Sequence, residues 1–291
     1  MTWPTDRRPS DALTGEFVPQ VWSAKILDHV KTELVCVNAV QTAWRAQLAL
    51  GDKVWIPVLA ALTGALVDVT ATGVLTNMNT TFGTTAVSVT IDTWWEVPIQ
   101  IDDSTKRQTQ VKDLLAKAAV NAAYALEKKI DLDVNALFST LASSSVYGSD
   151  GQTFTDDILI ALMELLDVAS IPRTERSLII DPSVVADMYK IDKFMSYDYS
   201  RKTFGAQGFV GTVPAYNLPV FVTNNLTTTT IGSYGVLLHK DAIGLAIQEG
   251  PDVEKWREEK RHSDIINVSS FWGCDVLRTT FGKAFYTRKK S

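Results

Sequence analysis

The chain has 291 residues, a hydrophobic share of 46%, a charged share of 21% and a formal net charge of -5 at pH 7. That length supports a substantial core and two lobes, and the composition is that of a folded globular protein rather than a disordered one. The negative balance, with no basic-aromatic cluster to offset it, argues against a dedicated nucleic-acid binder.

Residues 1–16 carry Pro4, Pro9, Gly15 and the adjacent Arg7 and Arg8, and predict an extended arm. They lack the apolar core of a signal peptide. Val21, Trp22, Ile26, Val30 and Leu34 fall on one face at helical spacing, so an amphipathic helix is expected to end near Cys36-Val37-Asn38. Trp44 to Leu50 is a connector and Gly51-Asp52 a turn. Cys36 and Cys274 make no disulfide framework, which implies a reducing compartment. The most apolar run, Val54 to Val67, is broken by Pro57 and Gly64 and falls short of the ~20 residues of a membrane helix. A soluble cytosolic product is expected.

From Lys53 to about Ile101 the pattern turns to β. Val67 and Val69, then Val87, Val89 and Ile91, alternate with small polar residues. No Lys or Arg occurs between Val54 and Thr105, and little in the segment can form a core of its own. A long β excursion of that kind is marginal in water. Two solutions stand open: pairing with another copy of the chain, or packing on the rest of the same monomer.

Asp102 to about Leu141 predicts one long helix. Asp102 and Asp103 place negative charge at its start, and Thr105 with Gln108 has capping-box spacing. Val111, Leu115, Ala118, Ala122, Leu126, Ile130, Val134 and Phe138 recur at helical period. Such a helix spans roughly 50–60 Å and serves as a spine for other elements. It ends in a Ser/Gly-rich break at 143–151.

An α/β lobe follows. Thr155 caps a helix with Ile158, Leu159, Leu162, Leu165 and Leu166 on one face. Ser177 to Ile180 is a buried strand, and Asp181-Pro182 starts a helix through Val184, Val185 and Met188. Residues 194–211 read as a glycine- and aromatic-rich loop, 218–222 as a strand, and 227–230 as a Thr-rich turn. Gly235 to His239 and Ala242 to Ile247 close the lobe. From Pro251 the chain is charged, strands follow at 265–271 and 274–279, and Arg288-Lys289-Lys290 form a basic tail.

Chemistry-bearing patterns are few. Gly205, Gly208 and Gly211 lack phosphate-loop spacing. Only His29, His239 and His262 occur; His29 and Cys36 could share a helix face, but two ligands do not make a zinc site. His239-Lys240-Asp241 fits acid-base chemistry less well than a turn capped by Asp241. Cys274 reads as buried filler. Asp156-Asp157, like Asp102-Asp103, sit at helix starts. Acceptor triplets for N-glycosylation begin at Asn79, Asn225 and Asn267, but a cytosolic chain would not use them. No catalytic, cofactor-binding or metal-ligating residue is assigned, and no cofactor is expected.

Six stretches in sequence carry a resemblance: Phe17-Val18-Pro19-Gln20-Val21-Trp22-Ser23, Gly51-Asp52-Lys53-Val54-Trp55-Ile56-Pro57, Val97-Pro98-Ile99-Gln100-Ile101-Asp102-Asp103, Leu218 to Leu226, Leu237 to Ile243, and Phe271-Trp272-Gly273-Cys274-Asp275-Val276-Leu277-Arg278. Their order and spacing, from Phe17 to Tyr286, resemble the major capsid protein of tailed bacteriophages, the Hong Kong-97 fold. The resemblance implies an α+β chain with an N-terminal arm (1–16), an N-terminal helix and connector (17–50), an extended E-loop (51–101) lying on a neighbouring subunit, a peripheral domain (102–150 and 251–291) containing the spine, and an axial domain (151–250). It implies a structural protein, not an enzyme: a virion coat protein that forms pentamers and hexamers of an icosahedral head around double-stranded DNA, assembled in the host cytoplasm.

Two features depart from some members of that family. The E-loop has no lysine beyond Lys53 at its base, so no covalent crosslink through such a lysine is expected. Some sixteen residues before Phe17 leave no room for a fused scaffold, so a separate scaffolding protein is expected, with portal and decoration proteins as further partners and no membrane. Arg7, Arg8 and residues 288–290 are candidates for non-specific DNA contact on the inner face, or are solvated termini. An encapsulin-like shell holding protein cargo, and a two-lobed α/β enzyme, are the alternatives.

Overall fold

The computed structural model of the chain describes residues 35–43, 52–59, 84–108, 114–141, 145–191, 209–213 and 218–288. The predicted N-terminal arm and helix, His29, Trp44 to Leu50 and Asn79 lie outside the described residues.

The β excursion begins as an antiparallel pair, β1 (Lys53–Leu59) and β2 (Thr84–Thr90). Val54 lies opposite Val89 and Ile56 opposite Val87, which puts four β-branched side chains on one face, as period-2 geometry requires. That face packs with Ile91, Ala246, Phe271 and Leu277. The root of the excursion is therefore seated on its own chain. Trp55 points to the other face and is 64% exposed.

The strand β3 (Thr93–Asp102) runs directly into helix α1 (Asp103–Gln108). Asp102 belongs to the strand because it pairs with Ser263 across the ladder. Asp103, whose N–H donates to the His262 carbonyl at 2.9 Å, is the first helical residue. Thr105 is consequently inside the helix, and the expected capping box is not formed. After residues 109–113, outside the description, the spine continues as α2 (Leu114–Ala136) and tightens to a 3-10 turn at Leu137–Leu141. Ala122, Leu126, Ile130, Val134, Phe138 and Leu141 form its buried stripe.

A mixed five-stranded sheet follows the spine. Its order is β10 (Gly282–Tyr286), β7 (Tyr234–His239), β4 (Arg176–Ile180), β6 (Leu218–Val222), β5 (Phe209–Val213), with β4 and β6 parallel. Leu178, Ile180, Leu237, Val220 and Phe285 pack against α3 (Asp156–Val168) and α4 (Pro182–Met188). Ile179, Val236 and Leu238 point the other way and join the spine cluster. The sheet is thus covered on both faces, so its strands read as apolar runs rather than alternations.

Local details depart from the expected ones. Thr155 occupies the N-cap of α3 without a side-chain hydrogen bond, and Asp156 and Asp157 supply the favourable charge in the first turn. Leu165 is 42% exposed rather than on the buried face, which is Leu159, Leu162 and Leu166. Asp181 does cap α4, accepting from the Ser183 N–H at 2.9 Å with Pro182 at the first helical position. Gly211, expected in a loop, sits in β5 opposite Val220, because the β6 edge offers a ladder.

The third sheet has the order β3, β9 (Ser263–Val276), β8 (Ile243–Glu258), all antiparallel. β9 is one strand where two were expected. The segment expected to close the lobe, Ala242 to Ile247, instead opens the 16-residue β8, so the predicted division at 250/251 falls inside a strand. The charged run from Pro251 is the exposed half of that strand. Only Gly fits at 273, because a Cβ there would lie 1.9 Å from the Thr90 carbonyl oxygen.

Candidate functional site

The antiparallel register fixes which side chains share a face of the β3–β9–β8 sheet. Thr93, Trp95, Val97, Ile99 and Ile101 lie with Trp272, Ser270, Val268, Ile266 and Asp264. This face meets the spine: Val97, Ile99, Ile266, Val268 and Trp272 join the cluster built on α2. Trp272 is fully buried and its indole N–H donates to Asp133 Oδ2 at 3.2 Å. Lys129 lies over the Trp95 ring, 5.3 Å from its centroid, and also pairs with Asp133.

The opposite face is divided. At its Phe271–Gly273 end it carries the β1–β2 hairpin. Toward the β8–β9 turn no described element covers it, and it presents Glu96, Pro98, Gln100 and Asp102 from β3, with Asp252, Glu254, Trp256 and Glu258 from β8. Trp94 is 67% exposed and stacks at a tilt on Phe271, centroids 5.9 Å apart. Trp55, Trp94 and Trp256 are the kind of exposed aromatic that anchors protein interfaces.

Where β8 turns into β9, charge is paired on the spine side. Arg257 reaches Asp103 at 2.7 Å and Asp264 at 3.2 Å, and Lys106 pairs with both carboxylates. Hydrogen bonds from Arg257 hold the Asp103 carboxyl below its usual range, and those from Lys106 do the same for Asp264. His262, in the left-handed region at φ 47°, closes the turn.

A second polar cluster is buried. Asp131 and Asn135 sit on the spine among apolar neighbours, both almost fully inaccessible. Asp131 accepts from the Cys36 N–H at 2.9 Å and from the Asn225 amide at 3.3 Å. Asn135 accepts from the Cys36 thiol at 3.0 Å and donates to the Asn225 carbonyl at 3.2 Å. Burial pushes the Asp131 carboxyl up, and it pushes the Cys36 thiol well up. A thiol kept protonated is a poor nucleophile and a poor metal ligand. The cluster fastens three segments together: the 3-10 turn at Cys36–Ala39, the spine, and the turn after β6.

His239, not Asp241, caps the turn after β7: its Nδ1 accepts from the Asp241 N–H at 3.2 Å because the imidazole already lies over the turn. Cys274 is half-buried, and burial raises its thiol to about 12. Asn225 and Asn267 are buried. Arg288, expected as a solvated or DNA-facing tail residue, is held by Asp187 at 3.0 Å and by the Ser183 carbonyl. A cavity of about 260 Å³ beside Val37 and Ile130 is lined, among the described residues, by one titratable group, Glu127. Among the described residues no group of three or more His, Cys, Asp or Glu could hold a metal ion, and no helix is long and apolar enough to cross a membrane. Sequence reasoning missed the sheet's divided face, although the alternation of acids and bases from Asp252 to Glu258 was its signal.

No protein-family model and no curated protein matches the chain. Solved structures do. A chain from Mycobacterium phage Che8 is 22% identical with a TM-score of 0.77, covering 96% of this chain and 100% of that one. The capsid structure of cyanophage P-SCSP1u gives 15% identity and a TM-score of 0.74, with 94% of each chain covered. The mature capsid of bacteriophage PhiM1 gives 11% identity and a TM-score of 0.68, over 94% of this chain and 93% of that one. This chain therefore shares the α+β fold of these phage structures.

Proposed function

We propose that the chain is a major capsid protein of a tailed phage, a structural protein whose copies assemble as pentamers and hexamers into an icosahedral head around double-stranded DNA. The observation that carries this reading is the likeness to phage capsid structures over nearly the whole length of both partners. The exposed Trp55 on a hairpin with few buried residues of its own agrees with it. The axial domain, near residues 151–250, holds α3, α4 and the strands β4 to β7 of the five-stranded sheet. The peripheral domain is the spine with the β3–β9–β8 sheet, near 102–150 and 251–291. The E-loop, 51–101, reaches a neighbouring subunit. Assembly takes place in the host cytoplasm with a separate scaffolding protein, a portal and, on the finished head, decoration proteins. DNA contact on the inner wall is non-specific.

Negative-stain microscopy of the protein, expressed alone and with the products of neighbouring reading frames, tests this. Shells, tubes, sheets or capsomer rings are expected. A monodisperse monomer or dimer under every one of these conditions overturns the reading. Heating purified particles in detergent is expected to release single chains, since Lys53 is the only lysine of the E-loop; a covalent ladder would refute that part.

A further inference from the structure

The exposed half of β8 sorts its side chains by charge. Asp252, Glu254 and Glu258 share the face turned away from the spine with Trp256, while Lys255 and Arg257 share the other with Val253. β3 adds Glu96 and Asp102 to the acidic side. Five carboxylates thus stand on one half-face to which the three strands contribute no Lys or Arg. At the centre lies Asn267, 9% exposed, between β3 and Glu254. Its amide N–H donates to Glu96 Oε2 at 3.2 Å, but its Oδ1 is buried with no partner. The hydroxyl of Ser263, on the same face between Asp102 and Glu258, is likewise buried and unpartnered. Buried acceptors without donors are rare in folded proteins and call for a donor from outside.

The edge of β8 gives such a donor a way to lie down. Near its start that edge is closed: Gln41 bridges Gly244, with N–H···O bonds to the Ile243 carbonyl and from the Leu245 N–H. Beyond the irregularity at 247–252, no described strand lies along it, and residues 251–257 are all exposed.

We propose that this half-face and the β8 edge form a docking surface for an extended basic segment of a separate protein. The segment adds as a strand beside β8 and sets alternate Lys or Arg side chains among Glu96, Asp252, Glu254 and Glu258. One cation donates to Asn267 Oδ1, and Trp256 and Ile265 receive the aliphatic stems. The E-loop of another copy does not fit, since residues 54–105 hold no Lys or Arg. The surface stands on the geometry of the sheet, independently of shell assembly.

Two peptides of equal charge test it: Lys-Thr-Lys-Thr-Lys-Thr-Lys, and an isomer with four lysines followed by three threonines. Each is titrated into the purified full chain by fluorescence anisotropy at near-physiological salt, where purely diffuse attraction is screened. The alternating peptide is expected to bind at least about tenfold more tightly, the scale of a single well-placed charge contact. Glu96→Gln with Glu254→Gln, both exposed positions, should bring it down to the block isomer, while Asp157→Asn with Glu164→Gln on α3 should change nothing. Equal binding of the two isomers, or equal losses from both pairs of substitutions, would mean non-specific charge attraction and overturn the proposal. Binding that survives the substitutions at 96 and 254 would overturn it as well.

Discussion

The two faces of the β3–β9–β8 sheet come from the same three strands and handle side chains in opposite ways. On the spine side Val97, Val268 and Ile266 are packed, Trp272 has an indole partner in Asp133, and the cations of β8 meet Asp103 and Asp264. On the other side, beyond the hairpin, Glu96, Asp252 and Glu254 are exposed and form no ion pair among the described residues, and the rings of Trp94 and Trp256 are exposed. A free-standing domain gains nothing from such a division. It makes sense for a part whose second face is completed by something else, since an interface core is favoured by the same burial that builds the first face.

The comparison is broken or sharpened first at two tryptophans of that sheet. Trp272→Ala removes a fully buried ring and leaves Asp133 without its indole donor. A loss of about 3–5 kcal/mol is expected in denaturant unfolding of the unassembled chain. Trp94→Ala removes a ring that is 67% exposed and packs at a tilt on Phe271, and should cost about 1 kcal/mol or less. Similar costs at the two positions would mean that the open face is already covered within one chain.

Asp131→Ala comes next. It removes the carboxylate that accepts from the Cys36 N–H and from the Asn225 amide in the interior, an expected cost of about 2–3 kcal/mol. Hydrogen exchange should show the loss in residues 35–43 and in the turn after β6 before it reaches the five-stranded sheet. Gly273→Ala follows, at about 1–3 kcal/mol for overpacking. Its Cβ would drive Thr90 off the sheet, so the faster-exchanging amides should be those of β1 and β2. If the α2 amides exchange faster instead, the hairpin is not an independently seated unit.

These contrasts also explain what the sequence revealed. The spine, β4, α4 and β6 were legible because each buries a continuous stripe or run, and Asp181-Pro182 is a local signal that needs no partner. The single strand β9 was read as two because Trp272-Gly273 looks like a break; the glycine is there for the Thr90 carbonyl, a contact from 183 residues earlier in the chain. The capping box at Thr105 failed because cross-strand pairing of Asp102 with Ser263 moved the helix start. The buried cluster of Cys36, Asp131, Asn135 and Asn225 left no trace in spacing, since the three segments that supply it follow one another at about 90–100 residues. The acidic half-face was visible as alternation from Asp252 to Glu258, but charge pattern alone does not say which side faces the core.

The smallest effect belongs to the ion cluster at the β8–β9 turn, and its sign is opposite to that of the buried carboxylate. Arg257 and Lys106 hold Asp103 and Asp264 below the usual carboxylate range. Groups with depressed values stabilise the fold above their unfolded values, near pH 4, and lose that contribution as pH falls through the lower folded ones. Asp131, raised by burial, works the other way: its charged form is penalised above the unfolded value, and acid relieves the penalty. In Arg257→Gln the titration midpoints of Asp103 and Asp264, followed by carboxyl NMR, should move up toward the ordinary range while that of Asp131 stays put. Because these pairs are solvent-screened, the change in melting temperature at neutral pH should be slight and should vanish in high salt. A large, salt-insensitive loss would place this turn in the packed half of the sheet, and the contrast between its two faces would then stop short of the β8–β9 turn.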